Sequence, residues 1–198
     1  MTLDTQTAYI GLIGLIVLER LAELALTRRN ARRLHRRGGV AVGDTHFPAM
    51  VLLHTSLLVA APLEVVSLQR PWLPWLGWTA LAVVLATMVL RYWAIVTLGD
   101  RWTTRVFVVP GEGPVTGGPY RYLRHPNYLA VVLEVAALPL IHSAWITAVV
   151  ASLLNAWMLR VRIRVEEAAL EEAAPYFATL GDRPSLLPGA TGREEHDS

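Results

Sequence analysis

The sequence predicts an all-α, polytopic membrane protein of about five transmembrane helices, the last two forming a helical hairpin, plus a cytoplasmic C-terminal helix. Three observations carry that prediction. The 198 residues are 54% hydrophobic and only 17% charged. The apolar residues fall in long unbroken runs, as membrane spans require and a single globular core does not. Arginines gather at one end of those runs, where membrane topology places them.

The elements follow in order. Residues 9–26, 47–68 and 75–98 are each apolar over roughly the 20 residues a span needs. The last two segments, 128–141 and 143–159, are shorter, and Pro139 followed by His142-Ser143 predicts a tight turn between them. A polar helix rich in Glu and Ala, residues 165–180, continues from the last span. Pro184 and Pro188 end it, and residues 189–198 read as a disordered tail. Residues 1–188 therefore form one membrane domain, with its chemical part in residues 98–180. The N-terminal MTLDTQTAYI lacks a basic region, and no small-residue cleavage site follows its apolar run, so a span is expected and not a cleaved signal.

Arginine placement sets the direction. Arg28, Arg29, Arg32, Arg33, Arg36 and Arg37 follow the first span, so that loop is cytoplasmic and the N-terminus lies outside. Arg101, Arg105, Arg121 and Arg124 then fall inside after the third span, as do Arg160, Arg162 and Arg164 after the hairpin. The outer loop keeps Arg70 among Pro71, Trp72, Pro74 and Trp75, an interfacial aromatic composition. With a Lys-free composition that points to a bacterium, this arrangement predicts an inner-membrane protein with its site and C-terminus in the cytoplasm.

Composition excludes much chemistry. There is no cysteine, which removes disulfides, zinc–thiolate sites, iron–sulfur clusters and thiol nucleophiles. All 18 basic residues are Arg, so Schiff-base and Lys general-base mechanisms are absent. His35, His46 and His54 are too scattered for zinc, and no metal is expected. Arginines beside apolar runs speak for topology and against nucleic acid. No obligate protein partner is evident; membrane lipids are the expected surroundings.

Glu19, Glu23, His54, Glu64, Arg91, Glu134 and Asn155 lie within apolar segments, where charge is costly and usually faces a bundle interior or a wet cavity. His54, Arg91, Glu134 and Asn155 each lie about seven residues in, or ~10 Å at the helical rise. A shared polar layer follows, with Arg91 paired to Glu134 or to Glu19. Such a layer either staples the helices or touches a ligand. Glu64, near the outer end, is expected to snorkel.

The most informative stretch is GGPYRYLRHPNYLAVVLE, from Gly117 to Glu134. Turn residues give way to aromatics interleaved with Arg, then to His125-Pro126 and a membrane helix. Pro126 suits the first helical turn, where its missing N–H costs nothing. Arg124 and His125 at a helix N-terminus suit an anionic group, although a plain loop-to-helix junction would look similar. Downstream, RIRVEEAAL places Arg162 and Glu166 at i, i+4, on one helix face.

GPYRYLRHPNYL followed by RIRVEEAAL resembles the isoprenylcysteine carboxyl methyltransferase family, related to the membrane phospholipid methyltransferases. The likeness covers residues 98–170 and includes Leu98-Gly99 and Arg101-Trp102-Thr103. It implies an S-adenosylmethionine-dependent O-methyltransferase acting on a carboxylate or hydroxyl of a lipophilic small molecule or lipid. Tyr120, Arg124, His125, Pro126, Tyr128 and Leu129 would then shape the cofactor site, with Glu166 contributing from the C-terminal helix. Arg162 would orient the acceptor oxygen, and Glu167 would position it or accept a proton. The upstream substrate arginine is Arg101 or Arg105. The tail after Glu166-Glu167 is compressed and Ala-rich relative to eukaryotic members, and a Lys-free chain points to a bacterium. The acceptor is therefore expected to be a small lipophilic molecule, such as a long-chain phenol or pyrone hydroxyl, entering sideways between the third span and the hairpin. An NADPH-dependent membrane sterol or enone reductase and a non-enzymatic membrane assembly protein are the alternatives.

Overall fold

A computed structural model describes residues 2–42 and 47–186. Pro188, His46, the domain end at 188 and the expected tail, 189–198, lie outside the described residues. Six helices follow one another: α1 (Thr2–Arg36), α2 (Phe47–Ser67), α3 (Pro74–Leu98), α4 (Pro126–Leu140), α5 (Trp145–Ala173) and α6 (Tyr176–Leu180). Two short strands, β1 (Val40–Val42) and β2 (Val106–Val108), pair antiparallel with Ala41 opposite Phe107. The all-helical expectation is thus corrected by a small ribbon. It ties the segment after α1 to the loop after α3, where a chain leaving the bundle must satisfy its own backbone groups.

Helical periodicity explains the packing. Tyr9, Ile13 and Ile16 of α1 and Leu53, Leu57 and Ala61 of α2 recur at three- and four-residue spacing and are buried. Ala80, Val84, Thr87, Arg91 and Ala94 do the same on α3, as do Ala148, Ala151, Asn155 and Leu159 on α5. Many of these are alanines, which let apolar helices approach closely. Their opposite faces leave Leu85, Val89, Val96, Val149, Leu153 and Trp157 exposed. So extensive an apolar surface is one that a bilayer covers. Together with helices long and apolar enough to cross a bilayer, it marks an integral membrane protein.

Among the described residues, three helices are long and apolar enough to cross a membrane: Phe47–Ser67, Pro74–Arg101 and Trp145–Ala173. Of the about five spans expected, these three meet that measure, and α1 and α4 do not. The middle of α1 carries Glu19, Arg20 and Glu23, and α4 has 15 residues, about 22 Å at the helical rise. The predicted hairpin is present, with α4 and α5 joined through residues 141–144 and Ser143 in a left-handed conformation. The C-terminal helix continues from the last span, as expected, but ends before 180. It is the end of α5, and it stops at Ala173 because Pro175 drives Ala174 into extended backbone (φ −163°, ψ 157°).

One end of the bundle gathers the start of α1, the end of α2, the start of α3 and the hairpin turn. Tyr9 donates to the Leu138 carbonyl at 3.2 Å. Gly77 of α3 passes so close to the hairpin that a Cβ there would sit 2.9 Å from the Ile141 carbonyl oxygen. Glu64 does not snorkel outward, as expected of it. It is buried and accepts from the Ile146 and Thr147 N–H groups at 3.1 and 2.7 Å, from the Thr147 hydroxyl at 2.7 Å, and from Arg70. The first N–H groups of a helix have no internal partner, so a carboxylate there is worth more bonded than solvated. Glu64→Ala should cost about 1–2 kcal/mol, the scale of a lost helix cap. A denaturant titration in detergent micelles would measure it, and an unmoved midpoint would contradict the capping role.

Candidate active site

The other end of the bundle holds the motif residues. Pro126 occupies the first position of α4 and His125 its cap, so the sequence expectation for that junction holds. A short 3₁₀ turn, Gly118–Arg121, precedes it. Gly118 has φ +53°, and a Cβ on it would lie 2.2 Å from the Thr97 hydroxyl of α3, so only glycine fits. The loop is strapped by the chain's far end. Arg124 N–H donates to the Pro184 carbonyl at 3.0 Å and His125 N–H to the Ser185 carbonyl at 3.1 Å. Arg183 donates to the Tyr120 carbonyl. Pro184, read from sequence as a helix terminator, is part of this strap.

From α5, Arg162 reaches three partners. Its Nε donates to the Tyr128 hydroxyl at 2.7 Å, its Nη2 to the Thr104 carbonyl at 2.6 Å, and its Nη1 approaches the Met50 sulfur at 3.3 Å. The Tyr128 hydroxyl in turn donates to Glu166. Glu167 faces the loop instead, holding His125 Nε2 at 2.9 Å and Arg124 Nε at 3.4 Å. The His125 and Tyr128 rings stack, with centroids 5.2 Å apart. Burial, reinforced by the Glu166 carboxylate, pushes the phenols of Tyr120 and Tyr176 above the ordinary tyrosine range, so both remain neutral donors.

These groups open on one cavity of about 350 Å³. Tyr120, Arg124, His125, Tyr128, Arg162 and Glu166 line it; Pro126, Leu129 and Glu167 are not on its wall. Arg101 and Arg105 both line it, Arg101 donating to the Gly113 carbonyl at 2.8 Å and Arg105 lying over the Phe47 ring at 4.7 Å. Met50, Trp102, Thr104, Asn127 and Tyr176 also contribute. Asn127 stands inside the RHPNY run and could have been named from it. Nothing in the spacing points to Met50, which arrives from α2.

The cavity continues inward to the polar layer. His54, Arg91, Glu134 and Asn155 all line it, as expected of a shared level, and so do Arg20 and Glu23. Glu134 binds Arg91 at 2.5 Å and Arg20 at 3.0 Å, and Arg20 holds Glu23 at 2.6 Å and Glu19 at 3.0 Å. Of the two pairings foreseen for Arg91, Glu134 is the one formed; Glu19 instead takes Arg20 and the Tyr92 hydroxyl. Among the described residues no group of three His, Asp or Glu side chains could hold a metal.

Residues 79–172 match the profile of the isoprenylcysteine carboxyl methyltransferase (ICMT) family. A Bacillus subtilis relative, the uncharacterized protein YpbQ, is 38% identical over 162 residues, covering 81% of this chain and 95% of its own length. The chain belongs to the isoprenylcysteine carboxyl methyltransferase family. An uncharacterized Haemophilus influenzae protein is 26% identical over 157 residues, 79% of this chain and 91% of that one. Among solved structures, the eukaryotic intramembrane Ras methyltransferase ICMT superposes with a TM-score of 0.58 at 23% identity. That likeness covers 73% of this chain and 54% of the eukaryotic enzyme, so this ICMT-family chain spans about half the eukaryotic length and shares its fold. The matched region of this ICMT member contains every motif residue from Tyr120 to Glu167.

Proposed function

We propose that this protein is an S-adenosylmethionine-dependent membrane methyltransferase that methylates an oxygen of a lipophilic acceptor. The observation that carries the reading is the single cavity joining the Arg124–Tyr128 loop and Arg162–Glu166 to the interior of an apolar bundle. Its volume lies within the range of small-molecule sites. Its polar end has unmet hydrogen-bonding capacity. Thr104 Oγ1 and Asn127 Oδ1 are buried, line the cavity and have no protein partner among the described residues. With Arg124 and His125 for a carboxylate, and with Glu166 and Asn127 for ammonium or hydroxyl groups, the residues suit the amino-acid and ribose portions of such a cofactor. The cofactor supplies an electrophilic methyl group on a sulfonium.

The chain's own task is alignment and exclusion of water, since an in-line displacement gains chiefly from a fixed approach. Arg162, locked by Tyr128, Thr104 and Met50, offers a stationary positive charge to the acceptor oxygen. Glu167 holds Arg124 and His125, so we assign it to positioning the cofactor loop. Pro126 and Leu129, on the first turn of α4, are assigned to shaping that loop. We read all of α1–α5 as crossing or entering the bilayer, N-terminus outside and active site cytoplasmic. The apolar half of the cavity then receives the acceptor's tail from the bacterial inner membrane.

Binding of S-adenosylhomocysteine against NADPH by the detergent-purified protein tests the reading. S-adenosylhomocysteine should bind and NADPH should not; no affinity for the former at millimolar concentration would overturn it. His125→Ala should weaken that binding about tenfold, as removal of one charge-assisted hydrogen-bond partner does.

A further inference from the structure

The second half of α1 presents two unlike faces. Glu23, Thr27, Asn30 and Leu34 recur at three- and four-residue spacing and are all buried. Asn30 fixes their level, donating to the Gly99 and Trp102 carbonyls at 3.1 and 2.9 Å, just past the end of α3. On the opposite side, Leu18, Leu21 and Ala25 are exposed, and the same stripe continues as Arg28, Arg29, Arg32 and Arg36, all exposed. Arg28 to Arg36 spans about 12 Å at the helical rise. That length crosses the headgroup layer beside a bilayer's hydrocarbon core.

These four arginines make no ion pair among the described residues. No acidic residue occurs between Glu23 and Asp44. Arg33 and Arg37, on the flank of the same helix, are held instead by Asp100 and Glu112. α5 leaves the bundle at this end too, with Arg160 and Arg164 exposed, but Glu166, Glu167, Glu171 and Glu172 follow on it. The unneutralised charge is thus concentrated on α1. Membrane orientation asks only for cations at this end of the spans. It does not ask that the free ones stand in register with lipid-facing leucines. Whatever covers Leu18 and Leu21 lies beside the arginines, and an acyl chain ending in an anionic headgroup covers both.

We propose that the outward stripe of α1, Arg28, Arg29, Arg32 and Arg36, is a binding surface for the headgroups of anionic phospholipids. Each planar guanidinium offers paired N–H donors to a phosphate. The acyl chains lie along Leu18, Leu21 and Ala25. A zwitterionic headgroup brings its own cation, which the arginines repel, whereas a net negative one brings none. Soluble phosphates and nucleic acids lack the apolar part and match only half of the surface. This surface is independent of whichever reaction the cavity performs.

The test titrates the full chain, in neutral detergent, with phosphatidylglycerol or phosphatidylcholine carrying the same dansyl-labelled acyl chain. Energy transfer from the protein's tryptophans reports binding. Wild type should prefer phosphatidylglycerol by about 100-fold or more, at about fivefold for each arginine beside a negative surface. Arg28→Gln with Arg32→Gln should weaken phosphatidylglycerol binding by about 25-fold on the same scale. Arg33→Gln with Arg37→Gln removes equal charge from cations already neutralised and should cost less than about threefold. Salt gives a readout that needs no variant. Raising it from about 0.1 to 1 M cuts the screening length from about 10 to 3 Å and should remove most of the wild-type preference. Equal losses in the two double variants, a preference that salt leaves intact, or a wild-type preference under about tenfold would overturn the proposal. So would displacement of the labelled lipid by glycerol phosphate or a short DNA duplex as readily as by unlabelled phosphatidylglycerol.

Discussion

Arg162→Ala is expected to reduce methyl transfer by about 100- to 1,000-fold, the range for deleting a fixed charge-stabilising donor at a reacting centre. Cofactor affinity should change far less, because Arg124, His125 and Glu166 remain in place. The variant also strips the Thr104 carbonyl and the Tyr128 hydroxyl of their donor. Arg162→Lys is the sharper comparison. It keeps the charge but cannot span Tyr128, Thr104 and Met50 with one rigid fork, so it should recover little activity. Single-turnover kinetics separate the two effects. If Arg162→Lys matched wild type, charge alone would suffice and the fixed geometry would be irrelevant.

The second large effect concerns stability. Glu134→Leu removes the carboxylate shared by Arg91 and Arg20, whose side chains are 7% and 22% exposed. Breaking a buried pair from one side typically costs about 3–5 kcal/mol, since the stranded cation keeps its desolvation penalty. Glu23, bound to Arg20 at 2.6 Å and 3.9 Å from Arg91, offers partial compensation, so the lower end of that range is expected. Unfolding in a detergent–denaturant titration would measure the loss. Arg91→Met combined with Glu134→Leu removes one charge of each sign and should be less damaging than Glu134→Leu alone. An additive double mutant would contradict the coupling.

The residues explain where sequence reading succeeds. Pro126 has one favourable place in a helix, its first turn, and α4 begins there. His54, Arg91, Glu134 and Asn155 lie at matching depths by simple counting, because helical rise is constant, and all four reach the same cavity. The burial of Glu64 is not legible in the sequence, because its partners, the Ile146 and Thr147 N–H groups, meet it only once the hairpin returns to the end of α2. Glu167 is similar. Its spacing from Arg162 places it near the site, but only the folded loop turns it toward His125 and Arg124 and off the cavity wall.

The sequence by itself determined the mostly helical membrane architecture, the hairpin, the family resemblance and most of the candidate residues that the cavity gathers. Each of these depends on local periodicity, backbone restriction or charge at a span end, and such terms are written along the chain. The tertiary structure alone decided which acids neutralise which arginines, that residues 183–185 strap the motif loop, and that Met50 of α2 meets Arg162. Those outcomes depend on contacts between distant segments, where helix rotation by a fraction of a turn exchanges one partner for another.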